Sequence, residues 1–179
     1  MLLVKAAPIE GTALIALERA DVLRARGYDE DFIRRCQEYL HEPGISVVRP
    51  ALRAANLAEV HARHAPTEGG VMTGLLEMGR GAGVGLEIDL DAIPIAREGA
   101  RLCREFGLDP LGTIASGAVL MAVAEDDAAR LVDNLTAEGY PTKRIGRVTE
   151  AVRGLIARRA GQCVEWPVFA TDEITRIFS

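Results

Sequence analysis

A strand, a loop and the start of a helix follow one another within the stretch HARHAPTEGG at positions 61–70. We interpret Val60–His64 as a short strand, and the paired glycines Gly69 and Gly70 stand where the next helix is predicted to begin. Free backbone N–H groups at a helix N-terminus, together with the hydroxyl of Thr67, are suited to hold a phosphate. The stretch therefore predicts phosphate contacts from Thr67, Gly69 and Gly70. The alternative is a tight turn in which Thr67 is only the N-cap of the helix.

Two histidines, His61 and His64, flank this loop. Residues three apart on a strand point to opposite faces of the sheet, so the two side chains are poorly placed to bind one metal ion. We expect no resident metal here, and we predict His64 as a substrate contact.

The rest of the chain alternates between segments typical of strands and of helices. The predicted strands are Leu2–Val4, Val60–His64, Val84–Leu90, Ala118–Ala124, Lys143–Thr149 and a hairpin of Leu155–Ala157 against Cys163–Trp166. Seven helices are predicted. Two cover 11–27 and 30–40, a third begins near Pro50 and a fourth near Gly70. The last three run from Pro94 to Gly107, from Asp126 to Gly139 and, as a short helix, over 171–178. The simplest fold class is α/β (α+β), a single domain over residues 1–179 with helices on a mixed sheet and the hairpin and short helix at about 151–179.

Three further motifs are candidates for chemistry. The run GRGAGVG at 79–85 superficially resembles a dinucleotide fingerprint, but it closes a helix and opens a strand, so we interpret it as a helix C-cap and turn. The carboxylates of Glu87, Asp89 and Asp91 share one strand face. We interpret this face as solvated surface, and the alternative is a magnesium site. The loop TIASG at 113–117 is small enough to let a ligand approach the backbone, although a serine hydrolase site has little support there.

Composition narrows the class of protein. Apolar residues make up 49% of the 179 residues and charged residues 26%, which excludes a disordered tail or a disulfide mini-protein. The net charge is −5, and the basic residues are scattered or paired with acids along the chain, so we expect no nucleic-acid partner. The three cysteines are far apart, and no apolar run reaches the ~20 residues of a membrane helix. We therefore expect reduced thiols, no membrane partner and a cytoplasmic location.

Taken in order, several segments resemble the C-terminal half of the aminoimidazole ribonucleotide (AIR) synthase-related superfamily. These segments are HAPTEGG at 64–70, GVGLEID at 83–89 with AIPI at 92–95, FGLDPL at 106–111, ASGAVL at 115–120 and IGRVT at 145–149. Within the superfamily they are most similar to the hydrogenase maturation protein HypE and its HypE-like relatives. The order of the segments is more specific than any one of them.

The resemblance implies a three-layer domain, PurM C-terminal domain-like and partly ferredoxin-like in topology. It implies that the complete family protein is an ATP- and magnesium-dependent enzyme, acting as a homodimer, that activates its substrate by phosphoryl transfer. It also implies that the Thr67–Gly70 loop, with Ser116 and Gly117, faces a cleft for nucleotide and substrate.

Three departures from the family pattern qualify that expectation. The N-terminal half, whose acidic residues bind magnesium–ATP, is not in this sequence, so a partner half in the same or a separate chain is expected. Ala65 stands where relatives carry Asp or His, and the sequence ends without the cysteine that carries the HypE thiocarboxamide. We therefore predict one wall of an ATP-dependent site that does not turn over alone and holds no cofactor tightly. The alternative is a non-catalytic binding or assembly module with the same fold.

Overall fold

The computed structural model describes residues 1–178 and contains eight strands in two four-stranded sheets. The strands are β1 (Leu2–Val4), β2 (Val60–His64), β3 (Gly85–Asp89), β4 (Val119–Val123), β5 (Thr142–Arg144), β6 (Gly146–Thr149), β7 (Leu155–Arg159) and β8 (Gln162–Val164). The first sheet has the order β2-β4-β1-β5 and is antiparallel throughout, whereas the second, β6-β3-β7-β8, contains one parallel pair, β3 with β7.

In the described part of the chain, seven α-helices accompany the sheets. They are α1 (Glu10–Glu18), α2 (Ala20–Ala25), α3 (Glu30–Gln37), α4 (Val48–Leu57), α5 (Gly70–Ala82), α6 (Arg97–Phe106) and α7 (Glu125–Ala137), with 3-10 turns at 38–40, 90–92, 151–153 and 173–178. Within residues 1–178, no helix is both long and apolar enough to span a membrane.

Most of the predicted elements are confirmed, and the α/β class and helix-covered sheets are among them. The helix predicted over 30–40 is capped by Asp29, whose side chain accepts a hydrogen bond of 2.7 Å from the N–H of Phe32. The helix predicted to begin at Pro94 begins instead at Arg97. Residues 94–96 stay extended because Ala7 donates its N–H to Pro94 and accepts one from Ala96.

The single strand predicted over Lys143–Thr149 is wrong, and so is the single sheet. The chain passes from β5 in the first sheet to β6 in the second at Ile145, whose N–H donates to Met1 and whose carbonyl accepts from Asp89. Gly146 makes this crossing possible, since a Cβ there would lie 2.1 Å from the carbonyl oxygen of Glu87. One strand-like segment therefore serves two sheets, which the pattern of residues along the sequence does not reveal.

Strand β1 lies between two cores. Leu3 packs in the core that also holds α5 and β3, whereas Leu2 and Val4 pack in the core covered by α4 and α7. Because successive side chains point to opposite faces, a central strand buried on both faces is apolar at every position. A third apolar cluster joins α1, α3, α6 and the 3-10 turn at 173–178.

Strand β4 offers the sharpest test of this core. Leu120 is fully buried between the first sheet and α5, so Leu120→Ala removes apolar contacts and leaves a cavity. We expect the free energy of unfolding to fall by about 2–5 kcal/mol, measured by urea denaturation. The control is Val152→Ala, at a side chain that is 89% exposed, for which we expect a change within about 0.5 kcal/mol. Equal losses for both variants would contradict the described core.

Candidate functional site

The loop between β2 and α5 is shaped by its two glycines. Gly69 and Gly70 have φ angles of 73° and 66°, in the left-handed region that favours glycine. A Cβ at Gly70 would lie 2.5 Å from the carbonyl oxygen of Leu111, so the loop rests directly on the backbone of residues 111–113. The N-cap of α5 is Gly69, so the alternative in which Thr67 caps the helix is wrong.

The buried carboxylate of Asp172, a residue distant from the loop in sequence, accepts a hydrogen bond from it. Its Oδ2 accepts a hydrogen bond of 2.6 Å from the N–H of Gly69, while its Oδ1 accepts from Ile174 at 2.8 Å and from Ile114 at 3.2 Å. Asp172 is only 8% exposed. The N-terminal end of α5 therefore holds an anion, and the anion belongs to the protein itself.

Two further backbone donors at this end of α5 are also engaged. The N–H of Gly70 donates to the carbonyl of Thr67 at 3.1 Å, and the N–H of Met72 donates to that of Leu111 at 3.2 Å. Both glycines are buried, whereas the side chains of Thr67 and Glu68 are exposed at the tip. A hydrogen bond from the Thr67 hydroxyl lowers the pKa of the Glu68 carboxyl, so the outer surface of the loop is an oriented hydroxyl beside a negative charge.

The segment 113–117 meets this loop through one hydrogen bond. The N–H of Ala115 donates to the carbonyl of Thr67 at 3.2 Å, which places Ser116 one residue from the contact. Gly117 has a φ of 104°, and a Cβ there would lie 2.9 Å from that of Ile9. The structure thus brings Thr67, Gly69 and Gly70 together with the segment that holds Ser116 and Gly117.

The two histidines of β2 have different surroundings, and a register irregularity between Val60 and Ala62 breaks the simple alternation from which opposite faces were predicted. His61 is exposed, with Nδ1 3.7 Å from a carboxylate oxygen of Glu59. His64 is half-buried against α5, and its Nε2 lies 3.0 Å from Oε2 of Glu77 without hydrogen-bond geometry. Across residues 1–178, no three His, Cys, Asp or Glu side chains are grouped to hold a metal ion.

The three carboxylates on and after β3 are each engaged elsewhere. Glu87 accepts hydrogen bonds of 2.6 Å from both Arg147 and Arg158, which lower its pKa to about 2. The Asp89 carboxylate caps its own turn, and that of Asp91 accepts from the N–H of Ala160 at 2.6 Å. The side chain of Glu87 is only 11% exposed, so the expected solvated face is wrong at this position. The magnesium alternative also gains no support, because these groups already have protein partners.

The glycine run at 79–85 closes α5 and opens β3, as predicted, with Gly83 as the left-handed C-cap. Sequence reasoning missed Asp172. No local signal connects this aspartate to Gly69, 103 residues away.

Similarity to known proteins identifies the family. Residues 13–156 match the C-terminal domain of AIR synthase related proteins. The chain belongs to this family. The resemblance inferred from its sequence motifs is thereby confirmed.

The relatives of this family member include hydrogenase maturation proteins. The carbamoyl dehydratase HypE of Cupriavidus necator is 34% identical over 118 residues, which are 63% of this chain and 33% of that protein. The crystal structure of E. coli HypE has a TM-score of 0.74 at 22% identity, covering 99% of this chain and 52% of that one. A HypE structure in complex with ATP has a TM-score of 0.63 at 17% identity, covering 97% and 51%. The chain thus spans between a third and about half the length of these relatives.

The Asp172 contacts can be tested by removing the carboxylate. In Asp172→Ala the buried N–H groups of Gly69 and Ile174 lose their acceptor, at a cost of about 1–3 kcal/mol for each donor left unpaired. We expect lower stability in urea denaturation and faster hydrogen exchange at the Gly69 amide. Asp126→Ala, at an exposed acid of α7, is the matched control. Unchanged exchange at Gly69 would contradict the described contact.

The arginine contacts of Glu87 predict a pH dependence of stability. Because its pKa is lowered from 4.5 to about 2 in the folded chain, the charged carboxylate stabilises the fold above the unfolded pKa. The stability difference between the native chain and Glu87→Gln should be largest near about pH 7 and shrink as the pH falls through about 4 towards 3. Urea denaturation at several pH values measures it, with Glu165→Gln at an exposed position as control. A difference that grows on acidification would contradict the arginine contacts.

Proposed function

We propose that this chain is the C-terminal domain of a HypE-like, ATP-dependent protein and forms one wall of a cleft for nucleotide and substrate. In the intact protein this wall serves a phosphoryl transfer that activates the substrate. Besides the family, one observation carries the proposal. At the N-terminal end of α5 the backbone N–H of Gly69 binds the Asp172 carboxylate, which is the chemistry that also binds a phosphate oxygen.

In this proposal each residue of the loop has a distinct role. The exposed hydroxyl of Thr67 orients a phosphate group, and the N–H of Gly69 donates to it once Asp172 has withdrawn. Gly70 keeps the loop seated on residues 111–113, because any side chain there would collide with their backbone. Ser116 and Gly117 border the cleft on the other side of the Thr67–Ala115 hydrogen bond, and His64 contacts the substrate from the end of β2.

The charge of the loop limits what the chain does alone. Glu68 and Asp172 both place negative charge near the phosphate position, and the described residues offer no group of metal ligands. In the intact protein Mg²⁺ would neutralise the phosphate charge, held by carboxylates of the expected N-terminal half in the same or a separate chain. Because phosphoryl transfer depends on positioning and charge neutralisation, we expect no ATP turnover by this chain alone.

A second candidate function is a non-catalytic binding or assembly module. Two observations favour it. Ala65 stands where the family resemblance implies Asp or His, and the Asp172 carboxylate already uses the N–H of Gly69. The two functions differ in whether a nucleotide reaches the loop.

Calorimetric titration with magnesium–ATP separates the two functions. Every protein in this titration also carries Arg97→Gln and Arg101→Gln, because the arginines of α6 would otherwise compete for the nucleotide. In this background we expect the unaltered loop to bind with a Kd on the order of 1 mM. Asp172→Asn removes the competing charge and should tighten binding by about tenfold, whereas Thr67→Ala should weaken it several-fold. Thr136→Ala, at an exposed threonine on α7, is the matched control and should bind as the protein with the unaltered loop does.

Two outcomes would overturn the nucleotide proposal. One is binding that is identical in all four proteins, since the loop would then not contact the phosphates. The other is no heat in any of them, provided that circular dichroism shows each variant to be folded. That second result would support the assembly module.

A further inference from the structure

A cavity of about 330 Å³ between α3 and α6 is lined by four arginines. They are Arg35 on α3 and Arg97, Arg101 and Arg104 on α6, accompanied by Phe32 and Glu98. The lining therefore carries a net charge of +3 in a chain whose overall charge is −5. None of these residues belongs to the loop at 64–70.

The four guanidinium groups are only partly neutralised by the protein. Among the ion pairs within residues 1–178, none involves these side chains, whereas arginines elsewhere, such as Arg53 and Arg147, are paired with glutamates. The nearest carboxylates are already engaged. Glu98 accepts from the hydroxyl of Tyr39 at 2.6 Å, and Glu105 accepts from Tyr28 and Arg26.

The spacing on α6 concentrates the charge. Positions 97, 101 and 104 follow the i, i+4, i+7 pattern that places side chains on one helix face. Like charges at this spacing repel one another and destabilise a helix, and the two acids of α6, Glu98 and Glu105, relieve only part of this repulsion. A sequence that breaks a local rule in this way, with only partial compensation inside the fold, points to a ligand that supplies the rest.

Aromatic rings hold part of the cluster in place. The guanidinium of Arg101 lies 4.4 Å from the ring centroid of Tyr28 and 4.4 Å from that of Phe32, while that of Arg35 lies 5.9 Å from Phe32. Phe32 is only 4% exposed, so the ring is fixed in the core. A stacked guanidinium keeps the N–H groups at its edge free to donate to an oxyanion.

We propose that this cavity is a binding site for a small phosphate-bearing anion, of the pyrophosphate or phosphate-ester class. Guanidinium groups donate paired N–H bonds that match phosphate oxygens, and several of them suit a ligand with more than one negative charge. The volume suits a small molecule. The site is separate from the proposed nucleotide wall, and its test does not depend on that proposal.

Titration of the full chain with inorganic pyrophosphate at low ionic strength tests the site. We expect saturable binding with one ligand per chain, weakened at least about tenfold in the double variant Arg97→Gln, Arg101→Gln. The matched control is Arg80→Gln with Arg159→Gln, which removes the same charge from exposed positions outside the cavity. Thr67→Ala should leave the affinity unchanged. Amide chemical shifts should move at Phe32 and along α6 in the native chain.

Three outcomes would overturn the site. Equal weakening in both double variants would mean that pyrophosphate responds to net charge only. Loss of binding in Thr67→Ala would assign the pyrophosphate to the loop at 64–70. Binding of a polyglutamate peptide, with no response to pyrophosphate, would make the cluster a contact for an acidic protein segment. Circular dichroism of each variant excludes unfolding as the cause of lost binding.

Discussion

The carboxylate of Asp172 joins three parts of the chain through its hydrogen bonds to Gly69, Ile114 and Ile174. It fixes the N-terminal end of α5, the loop after α6 and the last 3-10 turn against one another. The same region is packed without spare volume, since a Cβ at Gly112 would lie 2.3 Å from the ring of Phe169. A buried charge is tolerated only where donors replace its hydration, and here three backbone N–H groups do so. The geometry of the candidate site therefore depends on a residue outside the glycine loop.

This arrangement changes how the glycine loop is interpreted. A glycine pair before a helix indicates that a phosphate can approach the backbone, but it does not indicate that the donors are free. In this chain the N–H of Gly69 serves Asp172 and that of Gly70 serves Thr67, so a phosphate has to compete with an internal acceptor. An incoming group with two or more charges and an accompanying cation is better placed to compete than a single carboxylate. Binding and release of the 172–174 segment would then be coupled.

Local signals made much of the fold predictable from the sequence, and contacts distant in sequence account for what was missed. The cap at Asp29, the helix start at Gly70 and the C-cap at Gly107 each depend on neighbours within a few residues. By contrast, the sheet change at Ile145 and the arginines around Glu87 depend on segments that meet only after folding. The basic residues illustrate the same limit. Arg97, Arg101 and Arg104 are close together on α6, but only folding brings Arg35 of α3 to the same cavity.

The two anion-binding regions differ in the origin of their attraction, and the difference bears on any nucleotide experiment. The end of α5 attracts anions through backbone dipoles and is already occupied by a carboxylate, whereas the arginine cavity carries full, unpaired charges. Free ATP, with its polyphosphate, is expected to favour the full charges over the occupied dipole site. Heat released on adding ATP therefore does not by itself assign the nucleotide to the loop. The assignment to the loop requires an affinity that changes with substitutions at Asp172 and Thr67 in a protein whose arginine cavity has been neutralised. The Arg97→Gln, Arg101→Gln double variant is therefore the background for that titration.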